Sequence, residues 1–301
     1  MSIFLIILGV AVIFFGLQDV FHTLFHPADT GDVSDAIAGH VWRLFHAAMP
    51  RTLSFAGPVA FLAIVFFWAA SVVVGFALII CSFLPAGFTF AQGLNSATYD
   101  SFLGALDVSL ASLISLSIGA YSKSLLVQFL MGIECTIGFG LLTAAVSWLL
   151  SIYPVFEHRK SLAHEVSLLH FAEAAGVRRL DDISDSDLHE LLEAFAAQLI
   201  TCRNELSQFP ITYYFHENET ETALAGVLPY LADIAAQNVN RDGAAGLSAT
   251  VLGGAVDDYL KLIARSFLDR PFTSRDDILH AFATDHQRQI VRAPQPRQKA
   301  A

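Results

Sequence analysis

Three long apolar stretches, Ser2 to Phe25, Phe55 to Leu84 and Leu125 to Tyr153, constrain this chain more than any other feature. Each reaches the ~20 residues a helix needs to cross a bilayer. A helix pairs its own backbone groups, as hydrocarbon requires. Three transmembrane helices are therefore expected. With 54 % of 301 residues apolar and a mean hydropathy of +0.55, the composition lies well above that of ordinary soluble domains. The first run has no basic leader and no small-residue cleavage site, and it continues into Gln18-Asp19, so it reads as a retained helix rather than a removed signal.

Charge sets both partner and orientation. A net charge of -11, with the acidic excess after residue 165, argues against a nucleic-acid partner, because phosphate binding needs clustered Lys and Arg. Arg43 and Arg51 lie between the first two runs and His158-Arg159-Lys160 follows the third, whereas the segment between runs two and three offers only Lys123. Positive residues stay on the cytoplasmic side. The expectation is a multi-pass protein of the inner (plasma) membrane with a cytoplasmic C-terminus, in contact with membrane lipid. Cys81, Cys135 and Cys202 show neither disulfide nor metal spacing. His22 and His26 stand four apart, but Thr23 occupies the place of the glutamate in a zinc-protease helix. No nucleophile has an evident base. No catalytic residue, no metal and no cofactor are assigned, and an enzyme is not expected.

Along the chain, residues 1–26 form the first span, closed by His26-Pro27. Residues 27–54 hold a turn, Asp29-Thr30-Gly31-Asp32, then a helix from Val33 to Ala48 capped by Asp32 or Ser34. Ile37, Val41, Leu44 and Phe45 recur there at helical spacing beside Trp42, Arg43 and His46, as in an interfacial helix or an ordinary loop helix. Residues 55–154 contain two spans, the first ended by Pro85 and Gly87 and followed by a loop, Phe88 to Ala97. Residues 155–285 read as a helical domain with segments Ser161–Ala175, Leu188–Leu206, Thr220–Val239 and Val251–Leu268. Ser184-Asp185-Ser186-Asp187 is a cap for the second, and Pro210 precedes the aromatic cluster Ile211, Tyr213, Tyr214 and Phe215. Residues 286–301 form a tail expected to be disordered. No strand pattern stands out, so the fold class is all-α.

Tyr99 to Pro154 carries the functional signal. A short amphipathic segment leads into Ser112-Leu113-Ile114-Ser115-Leu116-Ser117-Ile118-Gly119-Ala120-Tyr121-Ser122, and a long apolar helix follows. Ala105 to Gly119 resembles the pore helix and filter of the two-transmembrane potassium-channel superfamily, and the layout match covers Phe55 to Tyr153. Ser117-Ile118-Gly119 stands where that family has Thr-Val-Gly. Ala120 then replaces Tyr, and Tyr121 replaces the second Gly. Sliding the register by two puts Gly119 on the second glycine and Ser117 on the first, so the filter is degenerate in either alignment. The resemblance implies a re-entrant pore helix, a filter loop of Ser115, Leu116, Ser117, Ile118, Gly119, Ala120 and Tyr121, and a homotetramer, since each chain supplies one loop.

Further residues support this expectation. Glu134 within the third span either bonds the hydroxyls of Ser112, Ser115 or Ser117 behind the filter, lines a cavity that attracts cations, or is a structural protonated carboxyl. Asp107 braces the turn, pairs with Lys123, or is a solvated face residue. Gly138 and Gly140 mark an inner-helix hinge or a site of close helix packing. Asp19 reads as a snorkelling or helix-packing residue. The expected function is a tetrameric cation channel passing K⁺ or Na⁺, either potassium-conducting or weakly selective, and gated through its cytoplasmic helical domain. The rival is a non-conducting sensor or scaffold on a channel fold.

Overall fold

The computed structural model describes residues 2–25, 31–176, 180–217 and 219–294. The chain is mostly helical and divides into two compact units, residues 1–47 with 58–151, and residues 48–57 with 152–301. Three of its helices are long and apolar enough to cross a membrane. The expected helix end at His26-Pro27, the start of the turn at Asp29, and the last residues of the tail lie outside the described residues.

In the first unit, α1 (Ser2–Phe25) has the expected limits, and its 24 residues give a rod of about 36 Å. Next come α2 (Asp32–Ala48) and α3 (Ala56–Cys81). Small residues let α1 and α3 approach closely. A Cβ on Gly9 would overlap the carbonyl of Gly75, and one on Gly16 would lie 2.7 Å from Cβ of Ser71. The start of α2 is held by α1. Asp19 Oδ1 accepts from the amides of Val33 (3.1 Å) and Ser34 (3.3 Å), and Thr23 Oγ1 accepts from the amide of Gly31 at 3.1 Å. Both expected cap residues, Asp32 and Ser34, lie inside the helix, and the Ser34 hydroxyl donates to Asp19 Oδ2.

Past α3 the chain turns into a strand, β1 (Phe88–Phe90), then a 3₁₀ turn at Ser96–Tyr99, then α4 (Phe102–Leu113). Strand β2 (Ala120–Ser122) pairs antiparallel with β1, Phe88 opposite Ser122 and Phe90 opposite Ala120. This short ribbon departs from the all-α expectation. Three residues per strand are too few to show the alternation from which strands are read. Val72, Phe76 and Ile80 of α3 pack with Ala105 and Val108 of α4 and with Val127 of the next helix, α5 (Leu125–Ala174).

Helix α5 runs for 50 residues, joining the third span to the expected separate helix after Ser161. Pro154 lies inside it and offers no N–H to the carbonyl one turn earlier, yet the helix continues. Its apolar part remains largely uncovered. Leu125, Phe129, Leu142, Leu150 and Tyr153 are exposed, as on a surface meant for lipid or another chain.

The second unit packs the end of α5 with α6 (Asp185–Gln208), α7 (Leu224–Asn238), α8 (Ala244–Ser266) and α9 (Arg275–Asp285). Ser184 caps α6 as expected, its hydroxyl accepting from the Asp187 amide at 3.2 Å. Buried Leu188, Leu192, Phe195, Leu199, Cys202 and Leu206 follow one another at three- and four-residue steps and form a single helix face. The aromatic cluster after Pro210 is core. Tyr213 stacks on Phe267 at 4.1 Å and donates to Asp285 Oδ2 at 2.5 Å. Helix α9 was not anticipated from sequence, because its apolar residues are few and its first turn carries Asp276 and Asp277.

Candidate pore-loop site

Helix α4 begins where Ser101 accepts a bond from the Gly104 amide at 3.1 Å. Its other end is closed by backbone geometry. The Leu116 amide bonds the Ala111 carbonyl at 2.7 Å, and the Ser115 amide bonds the Ser112 carbonyl at 3.1 Å. Ser115 adopts a left-handed φ of 59°. Those paired bonds and that dihedral form a Schellman cap, in which Ser115 takes the place usually held by glycine. Ser115 and Leu116, expected in a filter, therefore finish the helix.

Ser117 and Ile118 continue as irregular backbone, with Ser117 exposed. Gly119 has φ 76°, and its carbonyl accepts from the Ala91 amide at 2.7 Å. A Cβ there would be strained by that dihedral and would lie 2.9 Å from Cβ of Ala91. Ala120 and Tyr121, also expected in the filter, belong to the ribbon, opposite Phe90 and Thr89. The stretch outside both cap and ribbon is thus Ser117-Ile118-Gly119.

Glu134 is fully buried on α5 against α4. Its hydrogen-bond partner is Ser109, a residue not singled out from sequence, and the expected Ser112 also acts on its carboxyl. Ser109 Oγ contacts both Glu134 Oε1 and the Val73 carbonyl, the latter at 2.8 Å. One hydroxyl proton thus faces two acceptors on α3 and α5. Ser112 donates to the Met131 carbonyl at 2.9 Å, a second tie from α4 to α5. Ser115 lies on the exposed side and Glu134 on the buried side. Burial sorts the hydroxyls of this run: Ser109 and Ser112 fasten the helix, and Ser115 and Ser117 are open.

Asp107 accepts from the Tyr99 hydroxyl at 3.5 Å, while Lys123, its other expected partner, donates to the Ala86 carbonyl at 3.0 Å. Gly138 is where α4 meets α5. A Cβ there would overlap the Leu113 carbonyl, so this position serves close packing. Gly140 has open space beside it, and α5 passes through both as continuous helix.

Two polar centres have partners that the sequence does not name, Asp19, expected as a snorkelling or helix-packing residue, and Arg159. Asp19 is buried and also accepts from Trp68 Nε1 at 2.8 Å, so one carboxylate joins α1, α2 and α3. Its spacing of four from Thr23 is the only local signal. In the second unit Arg159, 7 % exposed, donates to Glu217 Oε1 (2.9 Å) and to the carbonyls of Thr212 (2.7 Å) and Phe215 (2.6 Å). Among the described residues no group of three or more His, Cys, Asp or Glu is placed to hold a metal ion. No protein-family model, curated protein or solved structure matches the chain.

Proposed function

We propose that this chain is the subunit of a homotetrameric pore-loop channel for monovalent cations, K⁺ or Na⁺, in an inner (plasma) membrane. The observation that carries the reading is α4. Its 12 residues extend about 18 Å, too short for a hydrocarbon layer of about 30 Å, yet it lies between two helices that are long enough. It is fastened on one side to α3 and α5 through Ser109 and Ser112. On the other side Leu103, Leu110, Ile114 and Leu116 are exposed. In a tetramer those residues meet neighbouring subunits, and Ser117-Ile118-Gly119 of each chain surrounds the permeation path. Irregular backbone at membrane depth is tolerated where it lines water or is enclosed by protein. The helical domain after Pro154 is then cytoplasmic and transmits its state through the unbroken α5.

A second reading has its own support. Ser115-Leu116 close α4 and Ala120-Tyr121 join the ribbon, which leaves three residues for a filter. A loop so short fits a non-conducting sensor or scaffold. Cation flux from liposomes holding the purified chain separates the two, with potassium and sodium gradients imposed in turn. Flux that disappears in Gly119→Val, while the oligomer and its helicity persist, supports the channel. A folded oligomer without flux over a range of pH and Ca²⁺ supports the scaffold.

A further inference from the structure

The C-terminal turn of α8 forms a cleft of about 460 Å³ lined by Lys261, Ala264, Arg265, Asp269, Arg270, Pro271 and Phe272. Lys261 and Arg265 are four apart on one face of the helix. After Ser266 the chain reverses. The Phe267 and Leu268 amides bond the Ile263 carbonyl, the Arg270 amide bonds the Ala264 carbonyl at 3.0 Å, and Asp269 adopts φ 48°. This reversal brings Arg270 back beside Lys261 and Arg265. It also occupies helix-end carbonyls that would otherwise repel an anion. The Lys261 ammonium lies 5.5 Å from the centre of the Phe272 ring, so an aromatic wall borders the cations.

Among the described residues these three cations are unmatched by any carboxylate, although the chain is acidic. Arg203 pairs with Asp258 at 2.8 Å, Arg275 with Asp257 at 2.7 Å, Arg241 with Asp185 at 3.0 Å, and Arg292 with Asp233 and Asp276. Asp257 and Asp258 are the carboxylates one turn before Lys261 that could have neutralised it, and both are taken. Among the described residues, Lys261, Arg265 and Arg270 have no carboxylate within ion-pair distance; Asp269 lines the cleft without such a contact.

We propose that this cleft binds a phosphate-bearing anion. Two guanidinium forks and an ammonium offer more donors than one carboxylate can accept, and they suit a doubly charged group with three oxygens. The volume exceeds what a lone phosphate fills, leaving room for a second phosphate or a flat group against Phe272. The site is a property of the helical domain and holds whether or not the chain conducts ions.

The test uses the full chain in phosphatidylcholine nanodiscs, titrated with pyrophosphate by calorimetry. A second arm counts phosphatidic acid bound to the detergent-solubilised chain by native mass spectrometry. Lys261, Arg265 and Arg270 are exposed, so the triple change to Gln leaves the fold intact, which circular dichroism checks. Having lost its charge-assisted hydrogen bonds, the triple variant binds at least about tenfold more weakly, a change of about 1.4 kcal/mol. Asp269→Asn, which keeps the turn and removes the one opposing charge, binds more tightly. Pyrophosphate binding with this pattern identifies a soluble anion. Phosphatidic acid binding with the same pattern, without pyrophosphate binding, identifies a lipid headgroup. Absence of both, or equal binding by wild type and triple variant, overturns the proposal.

Discussion

Replacing Arg159 by Met tests the part of the structure where an apolar helix becomes part of a folded domain. Met keeps most of the stem volume and removes the guanidinium. Glu217, 5 % exposed, then loses the cation that contacts Oε1 at 2.7 and 2.9 Å, and the carbonyls of Thr212 and Phe215 lose their donors. Removing one member of a buried pair costs about 3–5 kcal/mol, chiefly because the remaining charge is stranded. Neutralising that charge as well, in Arg159→Met/Glu217→Gln, recovers about 2 kcal/mol or more on the same reasoning. Cys202 provides the assay. It is 4 % exposed on α6, and burial, followed by the nearby Glu205 carboxylate, pushes its thiol up to about 12. It therefore reacts with a disulfide reagent at pH 8 only when the domain opens. In a Cys81→Ala/Cys135→Ala background, Arg159→Met raises the labelling rate of Cys202 by about a hundredfold to several thousandfold, since each 1.4 kcal/mol is a factor of ten. The double variant labels more slowly than the single one. An increase below about tenfold, or equal rates for single and double variants, refutes the view that Arg159 holds the domain through an ionised Glu217.

Asp19→Asn removes the negative charge and turns an NH₂ group toward Ser34 Oγ and Trp68 Nε1, both of which donate to the carboxylate. Losing two charge-assisted bonds costs about 3 kcal/mol, seen as a lower thermal midpoint in detergent, and an unchanged midpoint excludes the carboxylate as the clasp of α1, α2 and α3. His216 predicts a pH effect in the helical domain. Burial and then Arg288 hold its imidazole below the ordinary value of 6.5, with Glu217, Arg159 and the His286 carbonyl, which it contacts at 3.0 Å, also facing it. Below that ordinary value the unfolded chain takes up the proton first, so this stability contribution is present above about pH 6.5 and declines as pH falls toward the lower folded value. Thermal melts from pH 8 to pH 5 show a shallower decline for His216→Gln than for wild type, and parallel curves refute the assignment.

How much of this architecture the sequence disclosed depends on how far apart the interacting residues lie. The limits of α1 and the Ser184 cap of α6 follow from neighbours within one or two turns, and both were legible. The 50-residue α5 was not, because Pro154 and the drop in hydropathy after it look like a helix end, whereas packing in the second unit carries the helix onward. The ribbon was missed for a similar reason. Phe88–Phe90 and Ala120–Ser122 are 32 residues apart, and neither is long enough to show a period. Between α3 and α5, the run of serines was visible but its division was not. Ser109 and Ser112 face α3 and α5, and Ser115 and Ser117 do not, a distinction that depends on where α4 stops.

The same distance rule explains why the buried charges were the hardest residues to read. Asp19 finds Trp68 49 positions away, and Arg159 finds Glu217 58 positions away. A charged side chain within or beside an apolar helix is costly unless partners surround it, so its presence signals that partners exist without naming them. Asp19 and Arg159 each use that obligation to fasten a helix end or a 3₁₀ turn to a long helix. Glu134 meets it with hydroxyls of α4, Ser109 on Oε1 and Ser112 close by, and Oε2 has no partner in good hydrogen-bond geometry among the described residues. Two fully bonded charges and one half-bonded carboxyl are different physical situations. The first two have the saturation expected of structural clasps. Glu134 is buried where α4 meets α5, so its spare oxygen belongs to that helix contact, whereas the proposed permeation path is placed at the exposed end of α4.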